Sequence, residues 1–134
     1  MPRFGKKSLE RLETCAEPLQ ILFKEVVKDF DCTVTEGHRG EEVQNRYFDE
    51  GKSKLKFPHG KHNASPSNAI DVYPYPIDFE DRDRFHFFAG FVMSIAMQLG
   101  IKIRWGGNWA NDFNGGFKKN KFDDLVHFEL LSEE

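Results

Sequence analysis

The sequence predicts an α+β fold in a single domain spanning residues 1–134. Two patterns carry the prediction. Over residues 8–30 and 80–100, apolar side chains recur at spacings of three and four, the period of a helix with one buried face. Short apolar or alternating runs at 32–37, 68–74, 101–105 and 125–131 have the length and pattern of strands. Helices come first, and short strands then mix with one long helix, unlike the regular alternation of a doubly wound parallel sheet. With 134 residues, 39% of them hydrophobic and fourteen of them Phe, the chain has the length of one domain and the apolar content for one core.

The elements follow in order. Leu9, Leu12, Ala16, Leu19, Leu22, Phe23, Val26 and Phe30 form the first apolar stripe, with Ser8 as its candidate N-cap. Pro18 cannot donate a helical hydrogen bond, so two helices or one kinked helix are expected, with Pro18 in the first turn of the second. "CTVTEG" (32–37) is a β-branched strand, and "EEVQNRYFDEG" a helix of about three turns ended by Gly51. Residues 52–68 form a loop rich in Lys, Gly, Asn, Ser and Pro. A loop of that length in a compact domain is either functional or disordered. "NAIDVYP" (68–74) is a strand closed by "PYP". The strongest helix is "EDRDRFHFFAGFVMSIAMQLG", with acidic residues in its first turn, a stripe of Phe88, Val92, Ile95 and Leu99, and Gly100 as its stop. "IKIRW" reads as a buried strand, residues 106–124 as a Gly/Asn-rich loop, and "LVHFELL" as a last strand with alternating faces.

Composition narrows the function classes. A formal charge of −3 lacks the basic footprint of a nucleic-acid binder. The lysines of "GKSKLKFPHGK" and "FKKNKF" read as solvated loops, with a weak anionic contact as the alternative. "FHFFAGFVMSIAMQLG" is too short and too charged at its start to span a bilayer. No apolar run follows the basic N-terminal residues, so no secretory signal is expected. Cys15 and Cys32 fit no metal or redox spacing and read as reduced thiols.

The chemistry-bearing residues concentrate in "HGKHNASPSNAIDVYP" and near the C-terminus. His86 lies among phenylalanines on the long helix, and His38 sits beside Arg39 at a strand end. His62, Asp71 and His127 form the candidate metal set. Asp71 and His127 both lie on strands where alternation turns them away from their apolar neighbours. His62 comes from the loop before the first of these strands. Two imidazoles and a carboxylate suit a catalytic zinc, which keeps three protein ligands and one water. On spacing alone, ordinary polar loop and strand residues remain the commoner case. His59 is a rival ligand, although Pro58 and Gly60 argue against the helical turn it would need. Asp124, three residues before His127, can serve as general base, with a plain turn as its alternative reading. Arg39 can pin a carboxylate or polarise a carbonyl, or be an ordinary ion-pair partner. Asp112, Asn111 and Asn114 carry oxygens that suit a hard cation, but a solvated loop is the expected reading.

Four ordered segments, "GHRGEEVQNRYFDEGKSK", "KHNASPSNAIDVYPYPIDF", "IRWGGNW" and "FDDLVHFEL", resemble the zinc D-alanyl-D-alanine carboxypeptidase and L-alanyl-D-glutamate endopeptidase family, in its phage endolysin branch. The resemblance runs from about residue 8 to residue 131. "KHNxxPSxAxDVxPYP" and "DLxHFEL" are its most specific parts. It implies a Hedgehog-like or DD-peptidase-like fold, a short antiparallel sheet flanked by helices, holding one zinc per chain on His62, Asp71 and His127. It also implies Asp124 as the catalytic carboxylate and Arg39 as the substrate-positioning arginine. On this reading Trp105 and Trp109 wall the cleft with Gly106 and Gly107 between them, a purely structural Trp105 being the alternative. The chain departs from many members in carrying Gly60 where they have Ser, and Asp124 where some have Glu.

The activity so implied is metal-assisted hydrolysis of an amide in the bacterial peptidoglycan stem peptide, with the L-alanyl-D-glutamate bond expected. D-alanyl-D-alanine carboxypeptidase action and a catalytically silent wall-binding module are the alternatives, and a metal-free phage structural protein is a third. The expected protein is a monomer with no nucleic-acid or membrane partner. It would wait in the host cytoplasm until lysis and reach the wall through its cleft and lysine patches.

Overall fold

The computed structural model describes residues 2–131. Pro18 divides the first apolar stripe into α1 (Lys6–Leu12) and α2 (Glu17–Val26), and stands in the first turn of α2. Ser8 is not the cap, a place that Gly5 takes. It is buried within α1, where its Oγ accepts the Val34 N–H at 3.1 Å, while Arg11 Nη1 donates to the Val34 carbonyl at 3.1 Å. Val34 belongs to β1 (Cys32–Glu36), an edge strand. Side chains of α1 thus satisfy the outward backbone groups that an open sheet edge would leave bare.

After α3 (Glu41–Asp49), the 52–68 loop holds a 3-10 turn at Lys61–Asn63. The loop is tied to the start of the chain through Ser67, which exchanges backbone hydrogen bonds with Thr14 and Ala16. β2 (Ala69–Pro74) leads into α4 (Arg82–Leu99), where Asp81 caps the N-terminus by accepting the Arg84 N–H and Gly100 ends the helix at φ 71°. Its buried stripe is Phe85, Phe88, Ala89, Val92 and Ala96, and Leu99 is 43% exposed. β3 (Ile103–Trp105) and β4 (His127–Leu130) complete the structure, and β4 begins two residues later than its sequence pattern suggests.

The four strands form one antiparallel sheet in the order β1-β2-β4-β3. Val34, Ile70, Val72, Ile103 and Phe128 turn one way, into a core completed by Leu19, Leu22, Phe23 and Val26 of α2 and by Phe88 and Val92 of α4. Phe128 meets Phe23 edge-on at 5.5 Å and Phe88 at 6.2 Å. The opposite face of β2 and β4 is polar. A register shift between Val34 and Glu36 sets Glu36 opposite Asp71, and Asp71 lies opposite His127. Among the described residues, no helix is long and apolar enough to cross a membrane. The fold is the α+β architecture expected, a short antiparallel sheet with helices against it.

Candidate metal centre

The pairing of β2 with β4 decides where the first two ligands stand. Ile70, Val72 and Phe128 face the core, so Asp71 and His127 project from the other face as direct cross-strand partners. His62 arrives from the 3-10 turn, which a side-chain network fixes against the end of β1. Arg39 N–H donates to the His62 carbonyl at 2.8 Å, Asn63 Nδ2 donates to the Arg39 carbonyl at 2.9 Å, and Asn63 Oδ1 accepts the Gly60 N–H at 2.8 Å. The three segments bring one ligand atom each within 4.8 Å of one another.

The rings are set by their outer nitrogens. His62 Nδ1 donates to the Gly37 carbonyl at 2.8 Å, which turns Nε2 toward Asp71 Oδ1 at 3.3 Å. His127 Nε2 lies 2.9 Å from Glu129 Oε1, leaving Nδ1 3.4 Å from the same Asp71 oxygen. Glu129 is itself held by Arg104 Nη2 at 2.9 Å. His62 Nε2 and Asp71 Oδ1 are buried and make no hydrogen bond. An unmet buried polar atom costs about 1–3 kcal/mol. A cation between the two would satisfy both at once, so the residues fit a metal.

Charge follows the geometry. Burial works against an ionised Asp71, but the two imidazoles outweigh it and hold the carboxyl below the usual carboxylate range. Burial alone would lower the His127 pKa, yet its carboxylate partners Asp71 and Glu129 push it up to about 9. A metal ion must therefore displace a proton there.

Asp124 stands beside this centre, with Oδ2 4.0 Å from His127 Nδ1. Burial, and then the Asp71 charge, raise its pKa above the ordinary aspartate value. Its backbone is clamped to Gly106, whose carbonyl accepts the Asp124 N–H at 3.0 Å and whose N–H donates to the His127 carbonyl at 2.8 Å. A Cβ on Gly106 would overlap the Asp124 carbonyl oxygen, and one on Gly107 would overlap the Trp105 ring, so both positions need glycine.

Arg39 lies beneath Asp71. Its Nε and Nη2 grip the Glu36 carboxylate at 2.8 and 2.7 Å, Nη1 donates to Gln44 Oε1 at 3.0 Å, and Nη2 is 3.8 Å from Asp71 Oδ2. Arg39, His62, Trp109, Asp124, His127 and Glu129 line a cleft of about 500 Å³. The Trp109 ring sits 5.4 Å from that of His127, and its indole N–H donates to the Phe122 carbonyl.

Trp105 takes the structural place that stood as its alternative reading. It shares the core side of β3 with Ile103, is 7% exposed, donates its indole N–H to the Leu125 carbonyl, and stacks edge-on against His86. Arg104, between them, takes the cleft side. His59 lies on the cleft rim but outside the three ligand atoms, and His38 is exposed. Asp112 is satisfied within its own loop by the Asn114 N–H and Lys119. The sequence reading passed over Glu129 and Gln44. Glu129 follows His127 by two residues on a strand, which puts it on the same face. Gln44, a fully buried polar residue of α3, gave no comparable sign.

A family model described as phage L-alanyl-D-glutamate peptidase matches residues 1–131. The L-alanyl-D-glutamate peptidase of Escherichia phage T5 is 29% identical over 136 residues, covering 96% of this chain and 98% of that relative. The crystal structure of the Serratia marcescens L-Ala D-Glu endopeptidase ChiX shares the fold, with a TM-score of 0.77 at 22% identity, over 97% of this chain and 91% of that one.

Proposed function

Because the chain belongs to the phage L-alanyl-D-glutamate peptidase family, we propose that it is a zinc-dependent peptidase that cuts the L-alanyl-D-glutamate bond of the peptidoglycan stem. The observation that carries this reading is the convergence of His62, Asp71 and His127 on one point beside Asp124. Two imidazole nitrogens and one carboxylate oxygen suit zinc and leave a fourth tetrahedral position open. When bound, the metal supplies Lewis acidity and lowers the pKa of water there to about 7.

The chain's own groups do the rest. Asp124 takes the proton from the attacking water and hands it to the departing D-glutamate nitrogen, a double duty that its place beside the ligand His127 allows. Arg39 steadies the Asp71 charge. A guanidinium has five N–H donors, and those not used by Glu36 and Gln44 are free to hold a substrate carbonyl. Trp109 walls the cleft, Gly106 lets the Asp124 segment close onto β3, and Gly107 makes room for the Trp105 ring. Trp105 holds the Leu125 carbonyl from the core side. On this reading the protein's partner is peptidoglycan, met when the protein leaves the host cytoplasm at lysis.

Mass spectrometry of purified peptidoglycan digested by the zinc-loaded protein tests the bond. The expected products are peptides beginning at D-glutamate and muropeptides ending at L-alanine. Loss of terminal D-alanine alone would instead make the protein a carboxypeptidase, and no release would make it a wall-binding module.

A further inference from the structure

The chain carries a net charge of −3, yet lysines and arginines border its cleft. Three of these cations are already committed: Arg39 to Glu36, Arg104 to Glu129, and Lys52 to Glu50 at 3.4 Å. Lys61 lines the cleft from the turn that carries His62. Lys54 and Lys121 also line it, and among the described residues neither has a recorded carboxylate partner. Both belong to the Asp124 side. Lys121 precedes Asp124 by three residues, and Lys54 Nζ sits 4.8 Å from the ring of Phe122, two residues before Asp124.

The substrate brings a charge to that side, an argument that rests on the bond proposed above. Asp124 must reach the leaving nitrogen, which belongs to D-glutamate. That residue has two carboxyl groups, and only one can continue the stem. The other remains a free carboxylate a few bonds from the nitrogen. It would lie beside the Asp124 carboxylate, whose like charge repels it unless a cation intervenes. We infer that Lys54 and Lys121 form a carboxylate subsite, pairing with the free carboxylate of the D-glutamate residue and making the enzyme selective for it over the corresponding carboxamide. Exposed ammonium groups on flexible stems suit a single point charge.

Two stem peptides that differ only in carboxylate or carboxamide at this group test the subsite. The wild type should show a higher kcat/KM for the carboxylate. Lys54→Gln and Lys121→Gln should each lower the carboxylate-to-carboxamide ratio roughly fivefold. Lys121→Arg should retain the preference, and Lys121→Glu should invert it. Equal rates on both peptides in the wild type would overturn the subsite, as would a ratio that both Gln variants leave unchanged. If the wild type cuts neither peptide, the bond assignment itself fails, and the subsite with it.

Discussion

His62 and His127 approach the same point with opposite nitrogens. His62 offers Nε2 because its Nδ1 is committed to the Gly37 carbonyl, and His127 offers Nδ1 because its Nε2 faces Glu129. Each ring is oriented from behind before any ion arrives, so the roles of neighbouring carboxylates can be separated by substitution. Asp124→Asn should lower turnover by about 10²–10⁴-fold, the usual worth of a general base, with metal affinity unchanged. Glu129→Ala should instead weaken metal affinity by about 10–100-fold. A metal titration beside a turnover assay checks both, and unchanged turnover in Asp124→Asn would remove that residue from the chemistry. At this scale much was legible. Strand alternation turned Asp71 and His127 away from the core, and the family resemblance picked out His62. The same alternation, counted on from His127, places Glu129. Counted on from Ile103, it puts Trp105 in the core and decides for the structural alternative.

Gly106 shows what an element must do to deliver a side chain. The Asp124 segment is held to the end of β3 by hydrogen bonds in both directions, so close that no side chain fits between them. Gly106→Ala should cost about 1–3 kcal/mol of stability by overpacking. It should also lower turnover more than metal binding, since the displaced group is Asp124 and not a ligand. Equilibrium unfolding and activity measured on one preparation check this, and a variant with wild-type stability would contradict the packing. Helices and strands were readable from their periods, and Pro18 and Gly100 marked their ends as expected. The cap of α1 was not, because Ser8 serves Val34 across a distance in sequence that no local pattern encodes. The 52–68 loop, rich in lysines and turn residues, showed no regular period. Its order comes from long-range contacts, among them Ser67 bonding to Thr14 and Ala16 and Asn63 bonding to Arg39.

The whole molecule divides its sheet between two tasks. One face is sealed by α2 and α4, and the other gathers Glu36, Asp71 and His127 in a row across three strands. Strand order and the register shift before Glu36 were beyond the sequence, since pairing between distant strands leaves no local trace. The α+β class was not, because blocks of helical and strand periodicity excluded a doubly wound parallel sheet. The central claim is that three segments far apart in the chain close on one metal ion. Anomalous diffraction at the zinc edge, from crystals of the protein grown with equimolar zinc, tests it most directly. The account predicts a single strong peak at about 2.0–2.2 Å from His62 Nε2, Asp71 Oδ1 and His127 Nδ1. A peak centred on other ligands, or none in this cleft, would contradict it.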